Sequence, residues 1–106
     1  MIYEQTSRPG SRAPHVWLKD GRSTLDLFGR GFVLMRIGPD TPDPSAFERA
    51  AAAVGMPLEV VSIDEPDVVQ AYERKLVLVR PDGHSAWRGD ELPADPQAVI
   101  DIARGA

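Results

Sequence analysis

Two short apolar stretches with a helical stretch between them constrain this chain more than any other feature. Phe32-Val33-Leu34-Met35-Arg36-Ile37 is too short for a helix and apolar enough for a buried strand, and Leu58-Glu59-Val60-Val61-Ser62-Ile63 is rich in β-branched residues. Between them, Asp43-Pro44 carries a helix-start signal. The aspartate carboxylate accepts amide protons that have no partner within the helix, and proline fits the first turn. Phe47, Ala50, Ala51 and Val54 follow at helical spacing and line one face, Gly55 supplies a stop and Pro57 prevents continuation. A strand, a helix and a second strand in this order form a βαβ unit, whose strands lie parallel with a right-handed crossover.

The flanking segments extend the sheet. His15–Leu18 and Ser23–Leu27 flank an Asp20-Gly21 turn and predict an N-terminal β-hairpin. Leu76–Arg80 and His84–Arg88 flank Asp82-Gly83 and predict a second, terminal hairpin. A short helix is expected over Val68–Lys75. Asp95-Pro96 repeats the helix-start signal, with Val99, Ile102 and Ala103 as its apolar face and Gly105 as its stop. Residues 1–11, broken by Pro9-Gly10, read as a lead-in, leaving residues 12–106 as one domain. The expected fold class is α/β: a mixed sheet of four to five strands with helices on its faces.

The 106 residues leave no room for a second independent core. A net charge of −4 with scattered Arg and Lys lacks the positive field that phosphate binding needs, so no nucleic-acid partner is expected. No apolar run approaches the roughly 20 residues of a membrane span, so no membrane partner is expected either. Met1–Thr6 has neither the basic nor the apolar region of an export signal. Cysteine is absent, which suits a cytoplasmic location and excludes thiol redox chemistry in this chain.

The β-α-β then β-β-α order is that of the thioredoxin fold, and particular residues narrow the resemblance. Gly10-Ser11-Arg12-Ala13-Pro14-His15, Asp20-Gly21, Asp26-Leu27-Phe28-Gly29 and Phe32-Val33-Leu34 stand in order at the front. Leu76-Val77-Leu78-Val79-Arg80-Pro81-Asp82-Gly83-His84 runs into Ala86-Trp87-Arg88 near the end. Over residues 8–105 the chain resembles the C-terminal thioredoxin-like domain of the FAD-dependent aromatic-ring hydroxylases, the phenol and polyketide hydroxylases. That resemblance implies a module that follows a flavin-binding and a substrate domain and closes the chain. It implies a parent monooxygenase using FAD, NAD(P)H and oxygen. The chain is then either a cut-out of such an enzyme or a free-standing relative. A wider likeness is to peroxiredoxins, whose chemistry needs a cysteine after the first core strand. The matching stretch here is Ile37-Gly38-Pro39-Asp40.

No catalytic, cofactor-binding or metal-binding residue is assigned to this chain. Gly29-Arg30-Gly31 opens like a dinucleotide fingerprint, but no third glycine follows and a strand comes next where a helix N-terminus is needed. Gly89-Asp90 resembles the Gly-Asp pair that contacts flavin in the hydroxylases, yet Glu91-Leu92-Pro93 follows in place of a small residue and histidine, so a turn is expected. His15 and His84 lie on different hairpins, and zinc usually takes three or four ligands. Asp64-Glu65-Pro66-Asp67 reads as a solvated acidic loop, and the adjacent His84 and Ser85 point to opposite faces of a strand. Trp17, His84, Trp87 and Arg88 remain as the candidate interaction surface, being amphipathic types that interfaces favour. The expected role is structural: packing against the flavin-binding and substrate domains of a parent hydroxylase, or self-association. The alternative is a free-standing thioredoxin-like module that binds a small ligand or protein.

Overall fold

In the computed structural model, residues 10–29 and 31–104 are described. Strand β1 (Phe32–Ile37) and strand β2 (Leu58–Ile63) lie parallel in unbroken register, from Phe32 opposite Leu58 to Ile37 opposite Ile63. Helix α1 (Ser45–Ala53) connects them, completing the expected βαβ unit. The helix starts one residue later than its signal suggested. Asp43 still serves the first turn, because its Oδ1 accepts the Ser45 amide at 2.8 Å and the Ser45 hydroxyl at 2.5 Å. Those two bonds hold the Asp43 carboxyl below its ordinary range.

Helix α2 (Pro66–Tyr72) begins two residues before the expected Val68 and stops three before Lys75. Pro66 fits its first turn, and Glu73 ends it in a left-handed conformation at φ +69°. Strands β3 (Leu76–Val79) and β4 (Ser85–Gly89) form the terminal hairpin, antiparallel as expected. The register skips Ala86, so Leu78 faces Trp87 while Val79 faces Ser85. This bulge lets the adjacent Ala86 and Trp87 both pack on one side of the sheet. Helix α3 (Pro96–Ala103) is capped by Asp95, whose Oδ1 accepts the Ala98 amide at 3.3 Å. Its buried stripe runs through Ile100 and Ala103, with Val99 half-buried. Ile102, expected on that stripe, is 73% exposed, because at 100° per residue it lies far round the helix from Ile100.

The sheet order is β2-β1-β3-β4. Val33, Met35, Ile37, Val77 and Val79 face one side with Val68 and Tyr72 of α2 and with Ala13 and Leu18. Leu34, Leu76 and Leu78 face the other, against Phe47, Ala50 and Ala51 of α1 and Ile100 and Ala103 of α3. Covering both faces explains why the two central strands are nearly continuous apolar runs rather than alternating ones. This mixed α/β architecture, a four-stranded sheet with three helices, is compatible with the thioredoxin-like arrangement. Beyond β4, the Gly10 amide donates to the Ser85 carbonyl at 2.7 Å and the Ser85 amide to the Ser11 carbonyl at 2.8 Å. Arg12 bridges His84 there, so residues 10–13 cover that sheet edge.

The N-terminal hairpin is shorter than expected. The chain reverses at Asp20-Gly21, with Gly21 at φ +90°, and the Leu18 amide bonds the Arg22 carbonyl at 2.7 Å. Only Trp17 and Ser23 then form a bridge, and Thr24–Leu27 turns into a 3₁₀ helix instead of a second arm. Ser23 and Asp26 explain the difference through a capping box. The Ser23 hydroxyl accepts the Leu25 amide at 3.1 Å, and the Asp26 carboxylate accepts the Ser23 amide at 3.0 Å.

Candidate interaction surface

The four candidate residues do not share one patch. Trp17 is 67% exposed on the short N-terminal turn. Its ring meets the His15 imidazole nearly at right angles with centroids 4.8 Å apart, and His15 Nδ1 lies 2.5 Å from the Ser23 hydroxyl. The bridge to Ser23 fixes the Trp17 backbone, while the ring itself has the His15 edge contact. Trp87 is half-buried on the α1 and α3 side, tilted against Phe47 at a centroid distance of 5.3 Å. Its neighbour Arg88 points to the α2 side, opposite Val77, where its guanidinium approaches Glu73 at 3.6 Å. Only 16% of the Arg88 side chain is exposed. His84 sits in the terminal hairpin turn, with Nδ1 3.3 Å from the Asp82 carboxylate.

Asp82 organises that turn. Its carboxylate pairs with Arg80 and accepts the His84 amide at 3.0 Å, which together hold it far below the ordinary carboxylate range. Ser85 turns inward, fully buried, and its hydroxyl has no hydrogen-bond partner among the described residues. The His84 and Ser85 side chains therefore do not meet as a nucleophile and base.

The glycine pairs have local explanations. Gly31 leads directly into β1, so this segment presents no helix N-terminus to a pyrophosphate, and Arg30 lies outside the described residues. A methyl on Gly31 would approach the Pro57 carbonyl at 3.3 Å, so the strand entry is close-packed. Gly89 lies under the Trp87 ring, where an added Cβ would fall 2.8 Å from it. Asp90 Oδ1 accepts the Lys75 amide at 3.1 Å, closing the end of the hairpin. In this structure these residues serve close packing and turn formation. Among the described residues, no three His, Asp or Glu side chains gather closely enough to hold a metal ion, and no helix is long and apolar enough to cross a membrane.

Two arrangements carry no clear signal in the sequence. The first is a buried knot around the Pro14 carbonyl, which accepts the Tyr72 hydroxyl at 2.6 Å and the Thr24 hydroxyl at 2.8 Å. Thr24 also accepts the Val16 amide at 3.0 Å. Burial pushes the Tyr72 hydroxyl pKa up to about 12, the nearby Thr24 hydroxyl pulling the other way. The second is the bond from the Lys19 amide to Glu65 Oε1 at 2.9 Å, which joins the N-terminal turn to the acidic loop across 46 residues. One member of the Asp64-Glu65-Pro66-Asp67 cluster is thus a structural acceptor.

Comparison with known proteins places this fold. The family model for the aromatic-ring hydroxylase C-terminal region matches residues 6–104. The chain belongs to that family. It is 40% identical over 111 residues to 4-methyl-5-nitrocatechol 5-monooxygenase of Burkholderia sp, covering 92% of this chain and 20% of that one. It is 44% identical over 108 residues to tetracenomycin B2 monooxygenase-dioxygenase of Streptomyces olivaceus, covering 91% and 20%. Among solved structures, the substrate-free rebeccamycin biosynthetic enzyme RebC superposes with a TM-score of 0.88 at 55% identity, over 95% of this chain and 20% of that one. Aklavinone-11 hydroxylase, solved with FAD and aklavinone, superposes with a TM-score of 0.76 at 34% identity, over 94% and 22%. The chain therefore spans about a fifth of the length of these relatives. It matches the C-terminal portion of FAD-dependent aromatic and polyketide hydroxylases.

Proposed function

We propose that this domain is a non-catalytic packing module of an FAD-dependent aromatic or polyketide hydroxylase, seated against the flavin-binding and substrate domains and leaving flavin, NAD(P)H and oxygen chemistry to them. One observation carries the reading. The glycine and acidic motifs that resemble cofactor or catalytic signals are used internally, as strand entry, hairpin closure and loop tethering. The sheet is covered on both faces by the domain's own elements, and Trp17 stands exposed at the surface. Such a body supplies contact area rather than converging reactive groups, and interdomain contacts typically bury roughly 600–1,500 Å².

The test compares three proteins: RebC, RebC lacking its C-terminal fifth, and a chimera with this domain in that position. The truncated enzyme is expected to lose flavin content and thermal stability, and the chimera to recover both. The isolated chain, titrated with FAD, is expected to give no saturable flavin fluorescence change. A truncated RebC as stable and flavin-loaded as the whole enzyme, or stoichiometric FAD binding by the isolated chain, would overturn the proposal.

A further inference from the structure

Beside Trp17, a shallow groove of about 320 Å³ runs between the N-terminal turn and the start of α2, lined by Trp17, Leu18, Lys19, Glu65, Pro66 and Asp67. Several features distinguish this groove from an ordinary exposed side chain. The Ser23 bridge fixes the Trp17 backbone and His15 contacts one edge of the ring, so part of its freedom is already lost before binding. Exposed Pro66 continues the apolar floor, and Val69, one turn further along α2, extends it at 41% exposure.

The rim is negative. Glu65 and Asp67 line the groove and Asp64 adjoins it, against a single lining cation, Lys19. The Lys19 amide fixes the Glu65 carboxylate near the tryptophan. An indole face beside carboxylates favours a cation above the ring, with an ion pair at its edge. A guanidinium satisfies both, since it stacks flat on aromatic rings and forks to carboxylates.

We propose that this groove docks an arginine-bearing segment of the hydroxylase's remaining chain, the guanidinium stacking on Trp17 and pairing with Glu65 or Asp67. The inference rests on the packing role proposed above and adds the place of contact and the chemistry of the occupant. In these relatives, about four-fifths of the chain lies outside the region matched here. There is therefore ample further chain in such an enzyme from which the occupant can come. The contact is a specificity device as much as an adhesive one, because the acidic rim repels acidic surfaces.

Hydroxyl-radical footprinting with peptide-resolved mass spectrometry reads Trp17 directly, in the isolated chain and in the RebC chimera. Trp17 is expected to be oxidised readily in the isolated chain and at least fivefold more slowly in the chimera. Exposed Ile102 reports the general radical dose. The chimera carrying Glu65→Gln, whose side-chain oxygen can still accept the Lys19 amide, and Asp67→Lys is expected to lose most of the protection while keeping its circular dichroism. Equal oxidation of Trp17 in both contexts, in a chimera that does recover flavin and stability, refutes the groove and leaves the packing role standing. Protection that survives the loss of both carboxylates refutes the cationic occupant. Protection in the isolated chain that grows with its concentration assigns the groove to a second copy and overturns the proposal. A chimera no better than truncated RebC overturns the packing role and this inference together.

Discussion

Replacing Tyr72 by phenylalanine removes one hydroxyl from the buried knot and leaves the ring that fills it. That hydroxyl donates to the Pro14 carbonyl at 2.6 Å, and the same carbonyl keeps its bond from Thr24 at 2.8 Å. The acceptor is therefore not orphaned, and the loss at neutral pH should be that of the Pro14 bond together with the Thr24 contact, about 1–2 kcal/mol. Alkaline conditions reverse the comparison. The folded-state pKa of Tyr72 is raised to about 12 from an ordinary value of 10.0. A raised pKa means stability that is fully present below pH 10.0 and lost as pH climbs through the folded value. At 1.36 kcal/mol per unit the wild type should lose up to about 3 kcal/mol across that window. Tyr72→Phe has no such proton to lose, so the two stability curves should cross near pH ~11. Urea unfolding of both proteins from pH 7 to 11.5, on a Tyr3→Phe background to leave a single tyrosine, measures the difference while other titrations cancel. A difference that stays constant with pH, or a neutral-pH loss above about 3 kcal/mol, would refute the account of one shared acceptor and one buried neutral phenol.

Other substitutions probe separate features. Ser85→Ala removes a buried hydroxyl without a partner among the described residues and is expected to leave thermal stability unchanged or raise it by up to about 1 kcal/mol, measured by calorimetry; a clear loss would reveal an acceptor. Arg88→Glu places a carboxylate beside Glu73 in a site only 16% exposed, and is expected to cost roughly 1–3 kcal/mol in urea unfolding rather than act as a surface change. Arg80→Gln removes the main cause of the lowered Asp82 pKa, whose stabilisation is present above the ordinary carboxylate range and is lost as pH falls. Because that pair is exposed, the expected loss at pH 7 is below about 1 kcal/mol, and the acid-unfolding midpoint should shift only slightly.

Local rules made much of this molecule legible in its sequence. The βαβ unit followed from two apolar runs and an Asp-Pro start, and the terminal hairpin from Asp82-Gly83, because periodicity and turn chemistry act over a few residues. The family followed from ordered motifs spread along the chain. Ser23 and Asp26 carried a local signal as well, a capping box that turned the expected second arm into a 3₁₀ helix. Tertiary structure alone decided the rest. Sequence alternation could separate Trp87 from Arg88, but only packing showed one against Phe47 and the other near Glu73. Nothing local to Tyr72 or Pro14 announced a bond across 58 residues, or to Lys19 and Glu65 one across 46. The reason is physical: hydrogen bonds between distant segments depend on where the sheet brings those segments, and a sequence window holds only one partner at a time.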